Sequence, residues 1–155
     1  MTTKHITAIG GAALLSMASA SFGSEVFIEA STELQKVGLV VGGFRPFIAG
    51  SYSFITYTEG ENRSGLTIGA GADIVKPYNE IEIGIRALAF QSMSFPESYF
   101  SEQTGGSLHL IATKSFGPLS FGAGLGPSFI SYPGPYEGDI NVTSLGSELF
   151  CRFSF

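Results

Sequence analysis

Apolar and polar residues alternate along most of this chain, and the alternation divides into eight segments. The cleanest covers residues 80–91, with Ile81, Ile83, Ile85, Ala87 and Ala89 on one face and Glu82, Gly84 and Arg86 on the other. Leu66, Ile68, Ala70, Ala72 and Ile74 oppose Thr67, Gly69, Gly71 and Asp73. Leu119, Phe121, Ala123, Leu125 and Phe129 oppose Ser120, Gly122, Gly124 and Ser128. A period of two marks a strand whose two faces meet different surroundings. Residues 47–57 and 106–116 alternate less cleanly, 25–31 and 34–42 are shorter, and 145–155 form the eighth segment.

The connections alternate too. Tight ones centre on Arg45-Pro46, Lys76-Pro77 and Gly117-Pro118. Longer ones are expected at 58–63, 94–104 and 131–144, with a very short first connection near Thr32-Glu33. The strong segments have about 10 to 12 residues, close to what a tilted strand needs to cross a bilayer. Hydrocarbon offers no partner to an unpaired strand edge, so strands in a membrane must close into a ring.

The last strand carries the most specific signal. Leu149, Cys151, Phe153 and the terminal Phe155 share one face, Glu148, Arg152 and Ser154 the other, with Phe150 the exception. Here the chain resembles bacterial outer-membrane β-barrel proteins, whose closing strand typically ends in Phe. It is similar in size class to the OmpA-transmembrane and OmpX groups. The resemblance implies an all-β fold, an eight-stranded antiparallel up-and-down transmembrane β-barrel in the bacterial outer membrane. It also implies an assembly signal at Phe153 and Phe155, read by the barrel assembly machinery. Outer-membrane lipids and lipopolysaccharide would be its surroundings, and a monomer is expected. The short turns would then be periplasmic and the long loops external. A soluble secreted β-protein is the rival reading.

The other end agrees with that compartment. Lys4, the apolar or small residues 6–18 and the sequence Ala18-Ser19-Ala20 fit a secretory signal peptide,. The expected division is a signal peptide at 1–20 and a barrel domain at 21–155. Loss of Lys4 leaves 7 basic residues against 13 acidic, a formal −6. No basic surface for nucleic acid is indicated. Cys151 is the only cysteine, so no internal disulfide can form,. Basic Arg45, Lys76 and Lys114 lie near the short turns, whereas Glu59, Glu61, Glu97, Glu102, Glu137 and Asp139 lie in the long connections.

Candidate chemistry is sparse. The inward positions collect Glu29, Lys36, Asp73, Glu82, Arg86, His109, Glu148 and Arg152. An eight-stranded barrel is filled by side chains, so these charges are expected to pair with one another as a polar core. Arg86 and Arg152 would draw on Glu29, Asp73, Glu82 and Glu148. His109 is the only histidine beyond the signal segment, which excludes a His-rich metal site; no cofactor is expected. Ser107 shares its face, the nearest approach to a Ser–His pair. Tyr52, Tyr57, Phe95, Tyr99, Phe100, Phe129, Tyr132 and Tyr136 suit an aromatic girdle. Inward glycines at 69, 71, 122, 124 and 126 make room in a narrow interior. The expected role is structural or surface-interacting, carried by external loops; a minor pore is the alternative, followed by a lipid A-modifying enzyme.

Overall fold

The computed structural model describes residues 2–5, 24–56, 63–95, 102–134 and 138–155. Nine strands are present: β1 (Thr2–His5), β2 (Glu25–Ser31), β3 (Gln35–Val40), β4 (Phe44–Thr56), β5 (Arg63–Tyr78), β6 (Ile81–Phe95), β7 (Glu102–Phe116), β8 (Leu119–Pro133) and β9 (Asp139–Ser154). Strands β2 to β9 pair antiparallel with their sequence neighbours, and β2 pairs with β9, which closes an eight-stranded ring. β1 lies outside the ring and pairs only with the end of β4, from Thr2↔Thr56 to His5↔Ser53.

Alternation sets the two surfaces. Ile85, Leu110, Leu125, Leu145 and Leu149 are exposed on the outside, whereas charged residues and four phenylalanines turn inward. A wall that is apolar outside and polar inside suits a barrel surrounded by lipid. The inward rings fit because glycine lies directly opposite them. Phe27 pairs with Gly38, Phe47 with Gly71, Phe90 with Gly69 and Gly105, and Phe150 with Gly122. A Cβ on Gly71 would lie 2.7 Å from the tip of the Phe47 ring. Each ring therefore lies over the bare backbone of the neighbouring strand.

Two turns lie elsewhere than the prolines indicate. The chain reverses at Gly42 (φ 61°) rather than Arg45-Pro46, and at Asn79 (φ 56°) rather than Lys76-Pro77. Pro46 and Pro77 are paired strand residues instead, opposite Ala72 and Glu82. The turning residues need a positive φ, which Gly and Asn tolerate and Pro does not. At Gly117-Pro118 the turn falls as expected, with Gly117 at φ 63°. The expected connection at 131–144 is shorter as well, because β8 and β9 stay paired up to Pro133↔Asp139.

The ring is uneven in height. β2 and β3 have 7 and 6 residues, against 13 to 16 in the other ring strands. The β2–β3 hairpin therefore stops partway up the wall, where Thr32 N–H donates to the Leu149 carbonyl at 3.0 Å. Its turn is held by Ser31, whose Oγ accepts from Leu34 N–H at 3.1 Å and donates to the Leu34 carbonyl at 2.7 Å.

Candidate functional site

The middle of the lumen is filled by three cations and three anions. Arg86 makes a two-point bond to Asp73, Nε to Oδ1 at 2.7 Å and Nη2 to Oδ2 at 2.9 Å. Its Nη1 donates to Glu148 at 2.7 Å and its Nη2 to Glu29 at 2.9 Å. Arg152 donates to Glu29 and Asp73, each at 2.6 Å from Nη2. Lys36 completes the cluster between Glu148 and Glu29, 3.1 Å from the latter, with Ser31 Oγ at 3.0 Å. All six side chains are 0–2 % exposed.

Formal charges cancel within this group, and aromatic rings flank it. The Arg152 guanidinium lies 4.3 Å from the centre of the Phe27 ring, and that of Arg86 lies 5.5 Å from Phe47. A desolvated guanidinium over a ring face gains about 2 kcal/mol. Charges removed from water otherwise cost several kcal/mol each, so mutual pairing is what makes the cluster tenable. Val75, Ile111 and Phe150 pack together on one side of it, and Leu34, Leu88 and Phe47 belong to the apolar cluster on the other.

Glu82 is the one predicted lumen acid that stands apart. It takes a fork from Arg45 near the short-turn end, at 2.6 and 2.8 Å, and does not reach Arg86. The reason is register: Glu82 enters β6 beside the turn, four residues before Arg86, so two rungs separate them. Arg45, expected in a turn, is instead a strand residue pointing at Glu82.

His109 is fully buried at the cluster's upper edge, directly across from Arg86. Its neighbour is Ser128 rather than Ser107: Nε2 lies 3.4 Å from Ser128 Oγ. Nδ1 has no hydrogen-bond partner and lies 3.9 Å from Glu148 Oε2; Nε2 lies 3.9 Å from Glu33 Oε1. Glu33, His109 and Glu148 thus converge, with one ligand atom from each within 4.8 Å of the others. Glu148 already accepts from Lys36 and Arg86, and a divalent cation there would face both, which argues against a metal centre. Ser128 adjoins Gly146, across whose missing side chain it meets the imidazole.

Beyond His109, toward the loop end, lies a cavity of about 280 Å³. Its polar lining is Ser51, Thr67, Ser92, Ser107, Ser128 and Glu33; Leu34, Leu88, Phe90 and Ile130 supply the apolar part. The sequence pattern indicated none of this. Serine and threonine suit either face of a strand, and Leu88 and Phe90 continue an inward face that looked polar from Glu82 to Arg86.

Of the aromatic girdle, Phe129 is exposed on the wall and Tyr52 and Tyr132 are half-buried near the loop ends. Tyr57, Tyr99, Phe100 and Tyr136, and the side chain of Phe95, lie outside the described residues, as do Glu59, Glu61, Glu97, Glu137 and the cleavage region at 18–20.

No family model and no curated protein matches the chain by sequence. Among solved structures it is similar to Neisserial surface protein A, with a TM-score of 0.52 and 13 % identity over 85 % of this chain and 93 % of that one. The outer-membrane enzyme PagL matches at a TM-score of 0.42 and 12 % identity, over 84 % and 97 % of the two chains. A major outer membrane protein of Thermus thermophilus matches at 0.43 and 12 %, over 85 % and 99 %. At 13 % identity the likeness to Neisserial surface protein A speaks for the fold alone. Joined to the closed ring and the apolar outer wall, it makes this chain a small eight-stranded β-barrel with the fold of that protein.

Proposed function

We propose that the protein is a non-conducting barrel of the bacterial outer membrane, with a structural or surface-interaction role carried at its loop end. The observation behind this reading is the neutral six-residue plug across the lumen. Its side chains are unexposed and mutually bonded, so a solute passing through would have to break several charge-assisted bonds at once. That weighs against the pore alternative. In this reading the barrel is a monomer in lipid and lipopolysaccharide, assembled through Phe153 and Phe155. Reconstitution in planar bilayers tests it: a flat trace at both polarities and at high salt is expected, and stepwise conductance would overturn it. Replacing residues 57–62, 96–101 and 135–137 with Gly/Ser linkers, scored for adhesion and envelope permeability, tests the role of the loops.

A second reading rests on Ser128, His109 and Glu148. Hydroxyl, imidazole and carboxylate follow one another in the order that acyl-ester hydrolysis uses, and Ser128 lines the cavity. Both separations are longer than a working relay, which tightens only around substrate. Labelling by a fluorophosphonate probe, lost in Ser128→Ala and in His109→Ala, is the expected result if lipid hydrolysis occurs. An unlabelled wild-type barrel would remove this reading.

A further inference from the structure

We propose that the loop-end cavity binds one acyl chain of a neutral single-chain amphiphile, such as a monoacylglycerol, which enters sideways from the lipid through a gap in the barrel wall. The gap follows from the low β2–β3 hairpin. β2 accompanies β9 only as far as Ser31↔Phe150, and β3 accompanies β4 only as far as Gln35↔Gly50. Beyond those rungs β9 continues to Asp139 and β4 to Thr56. Among the described residues, no ring strand spans the space between them.

Three observations make this a lateral entrance rather than a missing edge. First, Val142 and Ile140 share the inward face of β9 with Glu148, yet they are 41 % and 37 % exposed. Among the described residues, nothing opposite covers them. Second, the gap lies within the lipid-facing belt, because Leu145 and Leu149 on the outer face of β9 are 74 % and 64 % exposed beside it. Third, the β9 edge is polar along its main chain. The paired bonds of Leu149 with Thr32 and of Phe155 with Val26 fix which residues face β2. Alternation then directs the N–H and C=O groups of Ser147, Leu145, Thr143 and Asn141 into the gap. Such groups need partners in hydrocarbon, and an ester or hydroxyl head can supply them.

The cavity suits the rest of such a molecule. Leu34, Leu88, Phe90 and Ile130 offer a chain-sized apolar lining, and the hydroxyl ring tolerates a carbonyl. Among the described residues, Ser107 Oγ in its lining is buried without a hydrogen-bond partner. Charge argues for a neutral head: among the described residues no Lys or Arg lines the cavity, and the one ionisable group that does is Glu33. β1 occupies the β4 side of the gap as an extended segment, which shows that a slender chain fits there. The proposal rests on removal of residues 1–20, which vacates that place.

The test is photo-crosslinking in lipid nanodiscs, using a monoacylglycerol with a diazirine on its acyl chain and peptide mass spectrometry to locate adducts. The mature barrel should give adducts on Leu88, Phe90 or Ile130, together with background labelling of outward Leu110. Ser107→Phe, which fills the cavity from below, should lower the inner adducts at least tenfold and leave Leu110 labelling unchanged. Ser92→Phe, nearer the rim, should do the same, and heat-modifiable gel migration establishes that each variant is folded. Adducts confined to outward residues would overturn the proposal. So would equal inner labelling in both filled variants, or an intact mass showing that β1 is retained. None of these outcomes bears on conductance, so this site and the closed-barrel reading fail separately.

Discussion

The Arg86 guanidinium lies 4.4 Å from the centre of the Phe150 ring, and that ring in turn covers Gly122 on the neighbouring strand. One aromatic side chain thus connects the ion cluster to the barrel wall. Phe150→Ala removes the ring from a site that is 4 % exposed, and truncations of this kind cost about 3–5 kcal/mol. Urea titration in phospholipid vesicles, followed by gel migration of unheated samples, measures the loss. A change under about 1 kcal/mol would mean that the ring is not a packing element.

Removing Arg86 itself should act through charge imbalance. Arg86→Met leaves Glu29, Asp73 and Glu148 facing only Lys36 and Arg152. Breaking a buried pair from one side costs about 3–5 kcal/mol. Adding Asp73→Asn returns the cluster to two charges of each sign and should recover part of that loss. If the double variant is no better than the single one, geometry rather than charge balance holds the plug.

A charge on the lipid face should cost according to depth. Sequence alone makes Ile83 an attractive outward midplane position, but Ile83 pairs with Lys76, close to the Asn79 turn. Ile83→Arg is therefore expected to cost only about 0–1 kcal/mol, as at an interface. Leu110, in the middle of β7 and 68 % exposed, is the better midplane probe, and Leu110→Arg should cost about 2–4 kcal/mol. Equal effects in vesicle unfolding would contradict this placement of the belt.

The terminal residue forms the final rung of the closing pair. Phe155 N–H donates to the Val26 carbonyl at 2.9 Å, and Val26 N–H donates to the Phe155 carbonyl at 3.0 Å. Deleting Phe155 removes both bonds, whereas Phe155→Ser keeps them and removes only the ring. Comparing the folded fraction after refolding separates the two contributions. Backbone closure predicts that the deletion is the more harmful; a side-chain signal predicts near-equal harm in cells.

Much of the architecture could be read from alternation, because period two assigns a face to every residue wherever the faces differ chemically. That sufficed for Asp73, Arg86, Glu148 and Arg152 as inward positions. It could not supply register, so the partner of Glu82 lay beyond it: which acid meets which guanidinium depends on rungs, not faces. Turn positions also misled, since Pro46 and Pro77 are conspicuous in sequence whereas the bends need the positive φ of Gly42 and Asn79. The cavity left no trace at all. Its serines and threonine are neutral in the alternation, and its opening depends on how far two short strands climb.

The low hairpin also bears on the order of events as the ring forms. β2 and β3 are joined to the rest by the shortest ladders in the ring, while β5 to β9 are zipped over most of their lengths. A curved sheet of the long strands can therefore exist before the hairpin docks, its lumen still open along one side. Docking then inserts Glu29 and Lys36 beside Arg86 and Glu148, so closing the wall and completing the plug become a single step. The same short seam is where a finished barrel would part first under strain.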